Sequence, residues 1–237
     1  MQILYGTIVS GAIHRTSHEL LYKELGWERL DERRKKQRLK IFYKILHGDS
    51  PLYLQQVVNE QQGEQNVYLL RNEHNIPQFR ARTSTFLESF FPKTIQDWNK
   101  LPNSTKLSGT VETFMSKLNS DKKNPPKWYY SGSRELAVKH AKLRMLCSPL
   151  NDHLYSHIKV VDSPACPCGH ARENNRHYFL ECNLYHNERT QLIANLNQIG
   201  FEPSLSNILY GNMQYANDCN SQAFDIIQGY IKSTGRL

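Results

Sequence analysis

The most regular hydrophobic pattern in the chain begins at Leu30 and continues to about His47. Its apolar residues recur at helical spacing on one side, at Leu39, Phe42, Ile45 and Leu46. Asp31 and Glu32 stand in the first turn, where the positive end of the helix dipole favours carboxylates. Gly48-Asp49-Ser50-Pro51 then ends the pattern. We therefore predict an amphipathic helix over residues 30–47.

Similar signals predict further helices and no long strand. A short helix over 17–25 ends at Gly26, and others cover 110–118 and 133–147. Residues 48–82 are predicted to be irregular, with a loop tip at 59–66, and SDKKNPPKWYYSGS at 120–133 reads as a linker. The expected fold is mainly α: a helical region over 1–120, a linker over 121–133 and a smaller domain over 134–237, with hairpin-like pieces near its cysteines.

Composition restricts the class of protein. The 237 residues suffice for one large domain or two modest ones, and 11% aromatic content argues against a disordered chain. No apolar run approaches the ~18–20 residues of a membrane span, so no membrane-spanning segment is predicted. Thirty Lys and Arg against 22 Asp and Glu give a net charge of +8. This excess favours an anionic partner, with nucleic acid ahead of an anionic membrane surface.

Basic residues form a stripe on the predicted helix opposite its apolar side. The stripe consists of Arg33, Lys36, Lys40 and Lys44, and Arg29 enlarges it. Like charges at this spacing cost stability, which phosphate groups of RNA or DNA would offset. An ordinary solvated helix face is the alternative. Aromatic residues that could stack on bases are Trp98, Trp128, Tyr129 and Tyr130, although Trp98 also suits the core.

Three cysteines and a histidine supply the sharpest chemical signal. Cys166 and Cys168 are followed by His177 after eight intervening residues, and by Cys182 after four more. Three thiolates and one imidazole are a common ligand set for a closed, structural Zn²⁺ site. Free buried thiols and a disulfide are the alternatives, and His170 or His186 could replace His177 as a ligand.

Catalytic motifs are harder to find. The chain has no Asp-Asp pair, no phosphate-binding loop of the GxxxxGK[ST] kind and no G-x-S-x-G elbow. We therefore expect a binding protein rather than an enzyme.

Four strings, in order, resemble one family. TSHELLYKELGWERLDERRKKQRLKIFYKILHG (16–48) and RARTSTFLESFFPKTIQDWNKLP (80–102) resemble the region after the polymerase core in reverse transcriptases of non-LTR (LINE-type) retrotransposons. The segment 148–189 is similar to the carboxy-terminal Cys-Cys-His-Cys knuckle of these proteins, and DIIQGYIKSTGRL (225–237) to their closing stretch.

The resemblance implies specific roles. The knuckle ligands of the family fall on the four residues already selected, and its basic post-polymerase helix falls on residues 33–44. The aromatic-x-Asp-Asp motif of the polymerase has no counterpart. Because IVSGAIHRTSHELLYKEL (8–25) resembles mid-protein sequence, we expect a carboxy-terminal fragment. Its partners would be RNA, DNA or both and the missing upstream reverse transcriptase core, in the cytoplasm or nucleus. A zinc-stabilised relic or protein-interaction domain is the alternative.

Overall fold

Helices supply the regular secondary structure of residues 2–13, 15–62, 74–120 and 124–237, the parts of the chain that the computed structural model describes. They are α1 (Gln2–Ser10), α2 (His18–Leu25), α3 (Leu30–Leu46), α4 (Leu52–Gln62), α5 (Ser84–Leu87), α6 (Phe90–Asn99), α7 (Asn103–Lys106), α8 (Val111–Leu118), α9 (Arg134–Arg144), α10 (Asn151–His153), α11 (His186–Gln198), α12 (Leu205–Tyr210) and α13 (Asn217–Thr234). No strand occurs within these ranges, so the prediction of a mainly α protein is confirmed.

The chain divides into two compact units. We call Glu28–Lys122 the basic-helix unit, and Met1–Trp27 together with Lys123–Leu237 the knuckle unit. This grouping differs from the predicted one, which placed residues 1–27 with 28–120. The reason is packing: Leu21 of α2 lies in one apolar cluster with Ala141 and Met145 of the α9 segment. The assignment of residues 1–120 to a post-polymerase region stays a prediction.

A buried guanidinium also joins the first 27 residues to the rest of the knuckle unit. The Arg144 side chain is only 2% exposed and donates to both carboxylate oxygens of Glu24, at 2.6–3.1 Å. Its guanidinium lies 4.0 Å from the ring centre of Tyr129. A charge taken out of water is tolerated only when it is paired in this way. Sequence periodicity carries no information about such a pair, because its members are 120 residues apart.

The basic-helix unit is built around α3. Buried residues of this helix, Leu39, Phe42, Tyr43 and Ile45, pack against Ile95 and Trp98 of α6 and Phe114 of α8. The predicted helix over 30–47 is confirmed almost to the residue. The prediction of irregular structure over 48–82 is wrong for α4, which buries Val58 against the same core. Half-buried Leu54 packs against the same core, and polar residues at most other α4 positions obscure this apolar side in the sequence. Residues 63–73 of the predicted loop lie outside the described ranges.

Aromatic rings fill this core. Tyr43 stacks on Phe114 with ring centres 4.6 Å apart, and Trp98 meets Phe42 edge-on at 5.5 Å. Trp98 is 3% exposed, so the core interpretation is confirmed and the base-stacking one is wrong. Pro92 does not break the aromatic segment, since it lies in the first turn of α6, where its missing N–H is not needed.

The knuckle unit packs α9, α11 and α13 around a second core that includes Trp128. Residues 127–130 form a turn of 3₁₀ helix, and the Trp128 indole N–H donates to the Tyr210 carbonyl at 3.1 Å. The linker prediction is therefore wrong here, and Trp128 is not available for stacking on bases. Residues 121–123 of the predicted linker are not among the described ones.

Candidate metal centre and candidate nucleic-acid interface

The first two cysteines lie in a tight reversal of the chain. The Glu173 N–H donates to the Pro164 carbonyl at 2.8 Å, and the Cys166 N–H donates to the His170 carbonyl at 2.9 Å. The reversal resembles a short hairpin without forming regular strands. Gly169 has a φ of +92°, in the left-handed region that glycine tolerates best. A Cβ there would meet open space, so backbone conformation rather than crowding explains this glycine.

The other two residues of the cluster stand at the ends of one wide helical turn. His177–Glu181 is a π-helical turn, and the Cys182 N–H donates to the His177 carbonyl at 2.8 Å. This hydrogen bond joins residues five positions apart and brings the ligand atoms of His177 and Cys182 close together. An ordinary α-turn brings together residues three or four apart. A single π-turn of this kind is often found at functional sites.

All four predicted ligands converge. Their sulfur and nitrogen atoms lie within 4.8 Å of one another, close enough to hold a metal ion. The Cys166 and Cys182 sulfurs are 3.7 Å apart, and Cys168 Sγ lies 3.2 Å from His177 Nε2. Zinc bond lengths of about 2.3 Å to sulfur and 2.0–2.1 Å to nitrogen imply tetrahedral edges of about 3.8 and 3.6 Å. A disulfide would need its sulfurs about 2.05 Å apart, and all five cysteines are free.

Backbone N–H groups point at the sulfurs. A hydrogen bond from the His170 backbone lowers the pKa of the Cys168 thiol. Burial raises the pKa of Cys166 to about 12, against a hydrogen bond from the Cys168 backbone. Burial likewise raises the pKa of Cys182, against a bond from the Leu184 backbone. Burial therefore favours the protonated form of these two thiols, whereas the backbone N–H groups favour their thiolate forms.

A buried ion pair supports the reversal from behind. The Glu173 side chain is 1% exposed and accepts from Arg236 Nε and Nη2, at 2.7 and 2.5 Å. Glu173 Oε2 also accepts from the Asn151 N–H at 2.8 Å. Arg236, near the chain end, and the backbone of Asn151 therefore both bind Glu173, whose own N–H closes the reversal at Pro164. Sequence reasoning missed both charged residues, because nothing in their spacing relates position 236 to position 173.

The two alternative histidines lie differently. The His170 ring is exposed and stacks on His177, with ring centres 4.1 Å apart, while its Nδ1 faces the Arg172 backbone. His186 Nδ1 lies 3.4 Å from the guanidinium of Arg189, which also donates to the Cys182 carbonyl. Of the three imidazoles, only that of His177 belongs to the four-residue cluster with the cysteines.

The predicted nucleic-acid contacts lie on or beside α3 but differ in availability. Arg29 pairs with Asp31 at 3.0 Å, and Lys36 with Glu28 and the side-chain oxygen of Asn119. No carboxylate of the described residues pairs with Arg33, Lys40 or Lys44. Arg33 is exposed, whereas Lys40 and Lys44 are half-buried. The stripe flanks the core instead of opposing it, because buried Tyr43 extends the buried face toward it.

Lys40 and Lys44 line a cleft of about 430 Å³ together with the start of α8. Asp49 and Glu112 also line the cleft, so its charge is mixed. We therefore assign it no ligand of its own. On the outer part of α3, Arg33 and its neighbour Arg34 are exposed, and no carboxylate of the described residues pairs with either.

No described helix is long and apolar enough to cross a membrane. No protein-family model, curated protein or solved structure matches the chain.

Proposed function

We propose that this chain is a nucleic-acid-binding carboxy-terminal segment of a LINE-type reverse transcriptase, organised around one structural Zn²⁺ ion. Cys166, Cys168, His177 and Cys182 would hold the ion, and the basic residues of α3 would contact phosphates of RNA or DNA. Polymerase activity would belong to the upstream part of such an enzyme. The observation that carries the proposal is the convergence of the four predicted ligand atoms within 4.8 Å.

The donor set supports zinc in particular. Three sulfurs and one imidazole suit a borderline-soft ion in tetrahedral geometry, and four protein ligands leave no open position for catalysis. The 3.7 Å separation of two sulfurs matches the edge expected around zinc to about 0.1 Å. Bound zinc would replace the thiol protons and remove the repulsion that two adjacent thiolates would otherwise suffer.

Charge supports the nucleic-acid part of the proposal. The chain carries +8, and Arg33, Lys40 and Lys44 have no carboxylate partner among the described residues. Side chains of this kind contact phosphates and position a protein on nucleic acid without reading its sequence. Counterions released from the phosphates would make the affinity fall steeply with salt.

One observation favours a second candidate, a zinc-stabilised domain that binds protein instead. Helix α1 exposes a cluster of apolar side chains, from 36% to 64% of their surface: Ile3, Leu4, Tyr5, Ile8 and Val9. Exposed apolar clusters mark protein-interaction surfaces. The upstream reverse transcriptase core is the partner that the resemblance suggests for this face.

Metal content tests the first half of the proposal. We expect one zinc per purified chain by mass spectrometry, and none in the Cys168→Ser/His177→Ala double variant. Cys147→Ser/His186→Ala is the matched control, because it also removes one thiol and one imidazole but lies outside the cluster. A zinc-free wild-type chain with five free thiols would refute the centre.

The salt dependence of RNA binding tests the nucleic-acid part of the proposal. We expect the affinity for single-stranded RNA to fall with a log–log slope of about −0.7 per phosphate contacted. Changing Arg33, Lys40 and Lys44 to Gln should reduce the slope by up to about 2. The control changes Lys142, Lys159 and Lys232 to Gln, which removes the same charge from the knuckle unit. A flat salt response in the wild type, or equal losses in both triple variants, would favour the protein-binding alternative.

A further inference from the structure

His177 has two ring nitrogens in different surroundings. Nε2 faces the cluster, 3.2 Å from Cys168 Sγ, whereas Nδ1 is buried and has no hydrogen-bond partner among the described residues. If Nε2 binds a metal, the ring proton must stand on Nδ1. A buried N–H group without an acceptor destabilises a folded protein. In the proposed zinc site, the Nδ1–H of His177 would therefore be a buried donor that needs an acceptor.

Glu181 offers that acceptor. It is the fourth residue after His177 on the same π-turn, and its Oε2 lies 3.9 Å from Nδ1. Its other oxygen, Oε1, accepts from Arg176 Nε at 2.7 Å. The Glu181 side chain is 39% exposed, so it has room to change its torsion angles. A small rotation would bring Oε2 within hydrogen-bond distance of Nδ1.

The stacked ring of His170 restricts the other movements of His177. The two imidazoles are nearly parallel, at 12°, with centres 4.1 Å apart. His170, His177 and Glu181 also lie close enough together to hold a second ion. That ion would require the His177 ring to lose both of its protons while Nε2 serves the cysteine site. A hydrogen bond from Nδ1–H to Glu181 needs no such step, and it gives the orphaned nitrogen a partner.

We propose that Glu181 is a positioning residue for the metal centre: its carboxylate accepts the Nδ1–H of His177, which fixes the tautomer that presents Nε2 to the ion. The inference rests on the proposed zinc site. Metal-bound histidines generally donate their second N–H to a carboxylate or carbonyl, which orients the ring and raises its basicity. Arg176 holds the other oxygen of this carboxylate at 2.7 Å, which limits how far Oε2 can turn toward Nδ1.

Zinc affinity, measured by competition with a chromophoric chelator at constant pH, tests this assignment. We expect Glu181→Ala to weaken binding by about 10-fold or more, within the 10–100-fold range of such outer residues. Glu181→Gln keeps a neutral acceptor and should fall between Ala and the wild type. Arg176→Gln releases the carboxylate and should bind zinc at least as tightly as the wild type.

Glu188→Gln is the matched control, because it removes the same charge from the neighbouring helix α11 without touching His177. A ¹⁵N-labelled sample adds a readout that general destabilisation would not mimic. The zinc-loaded wild type should show a protonated Nδ1 on His177 whose proton exchanges slowly, and Glu181→Ala should exchange that proton faster.

Two failures are distinguishable. If the wild type binds zinc and Glu181→Ala binds it as tightly as Glu188→Gln does, Glu181 has no positioning role and the zinc proposal stands. If the wild type binds no zinc, both proposals are overturned. The assignment would also be refuted if Arg176→Gln lost as much zinc affinity as Glu181→Ala. That result would mean that the Arg176–Glu181 ion pair, and not the bond to His177, supports the site.

Discussion

The two compact units differ in how many charged and polar side chains they bury. The basic-helix unit relies mostly on rings and aliphatic groups, in which Trp98 contacts both Phe42 and Phe114, and its buried charged residues among those described are Asp97 and Lys106. The knuckle unit buries charged and polar groups beside its apolar core: His140, Arg144, Glu173, His177, Arg189, Asn220 and Gln228. An apolar contact stabilises a fold under most conditions, whereas a buried polar group does so only while its partner is present and correctly protonated. The comparison predicts that the knuckle unit responds to metal and pH, and that the basic-helix unit responds mainly to loss of packing.

Removal of the metal is the strongest test of this contrast. Chelation should destabilise the knuckle unit by at least about 4 kcal/mol where free zinc was 1,000 times its Kd, by mass action. Hydrogen exchange followed by mass spectrometry should show peptides from α9, α13 and residues 164–182 losing protection. Peptides from α3, α6 and α8 should keep it. Equal loss in both units would contradict the division.

Phe114→Ala is the converse change. Phe114 is fully buried between Tyr43 and Trp98, so its truncation should cost about 3–5 kcal/mol. Exchange should accelerate in α3, α6 and α8, and the zinc content of the chain should stay the same. Loss of zinc in this variant would mean that the metal centre depends on the basic-helix core.

Loss of the Glu173–Arg236 ion pair should cause the next largest fall in stability. Arg236→Ala leaves the Glu173 carboxylate buried without its counter-ion, which should cost about 3 kcal/mol in urea unfolding. Glu173→Gln/Arg236→Ala should recover part of that loss, because the double variant no longer buries a charge. A double variant that is less stable than Arg236→Ala would show that the pair stabilises the unit by more than mutual neutralisation.

A decrease in pH should lower the stability of the knuckle unit by a smaller amount. Burial, with a contribution from Arg144, lowers the pKa of His140 well below its ordinary value, and burial also lowers the pKa of His153. The unfolded chain therefore binds more protons than the folded chain below about pH 6.5, so stability falls as pH decreases. The His140 contribution to the slope should approach about 1.4 kcal/mol per pH unit.

His140→Gln isolates that contribution. Glutamine retains an N–H donor for the Ile208 carbonyl, which His140 Nε2 now meets at 2.9 Å. Urea unfolding of the variant between pH 5 and 6.5 should show a shallower slope than the wild type, by up to one proton. Identical slopes would mean that His140 titrates alike in the folded and unfolded chain.

Sequence reasoning succeeded where the determining information is local. The helix over residues 30–47 was predictable because apolar spacing, acidic first-turn residues and a Gly-Asp-Ser-Pro stop all agree over one short segment. Helix α4 was not predictable, since it contributes only Val58 and half-buried Leu54 to the core and is otherwise mostly polar. The segment at 127–130 is flanked by Pro and Gly signals typical of a linker, and only its packing in the tertiary structure makes Trp128 a core residue.

The candidate metal site likewise combines features that the sequence predicts with features that it does not. Residue types and spacing alone selected Cys166, Cys168, His177 and Cys182, because metal ligation requires particular donor atoms and short segments can bring them together. The tertiary structure decided the rest: the π-turn that aligns His177 with Cys182, the Glu173–Arg236 support and the position of Glu181 beside Nδ1. It also decided that Arg29 and Lys36 meet carboxylates. The amino-acid sequence thus determined which chemical groups are available. Which of them meet depends on the path of the backbone, both in local geometry such as the π-turn at His177 and in contacts between distant residues such as Glu173 and Arg236, and the residue pattern encodes neither.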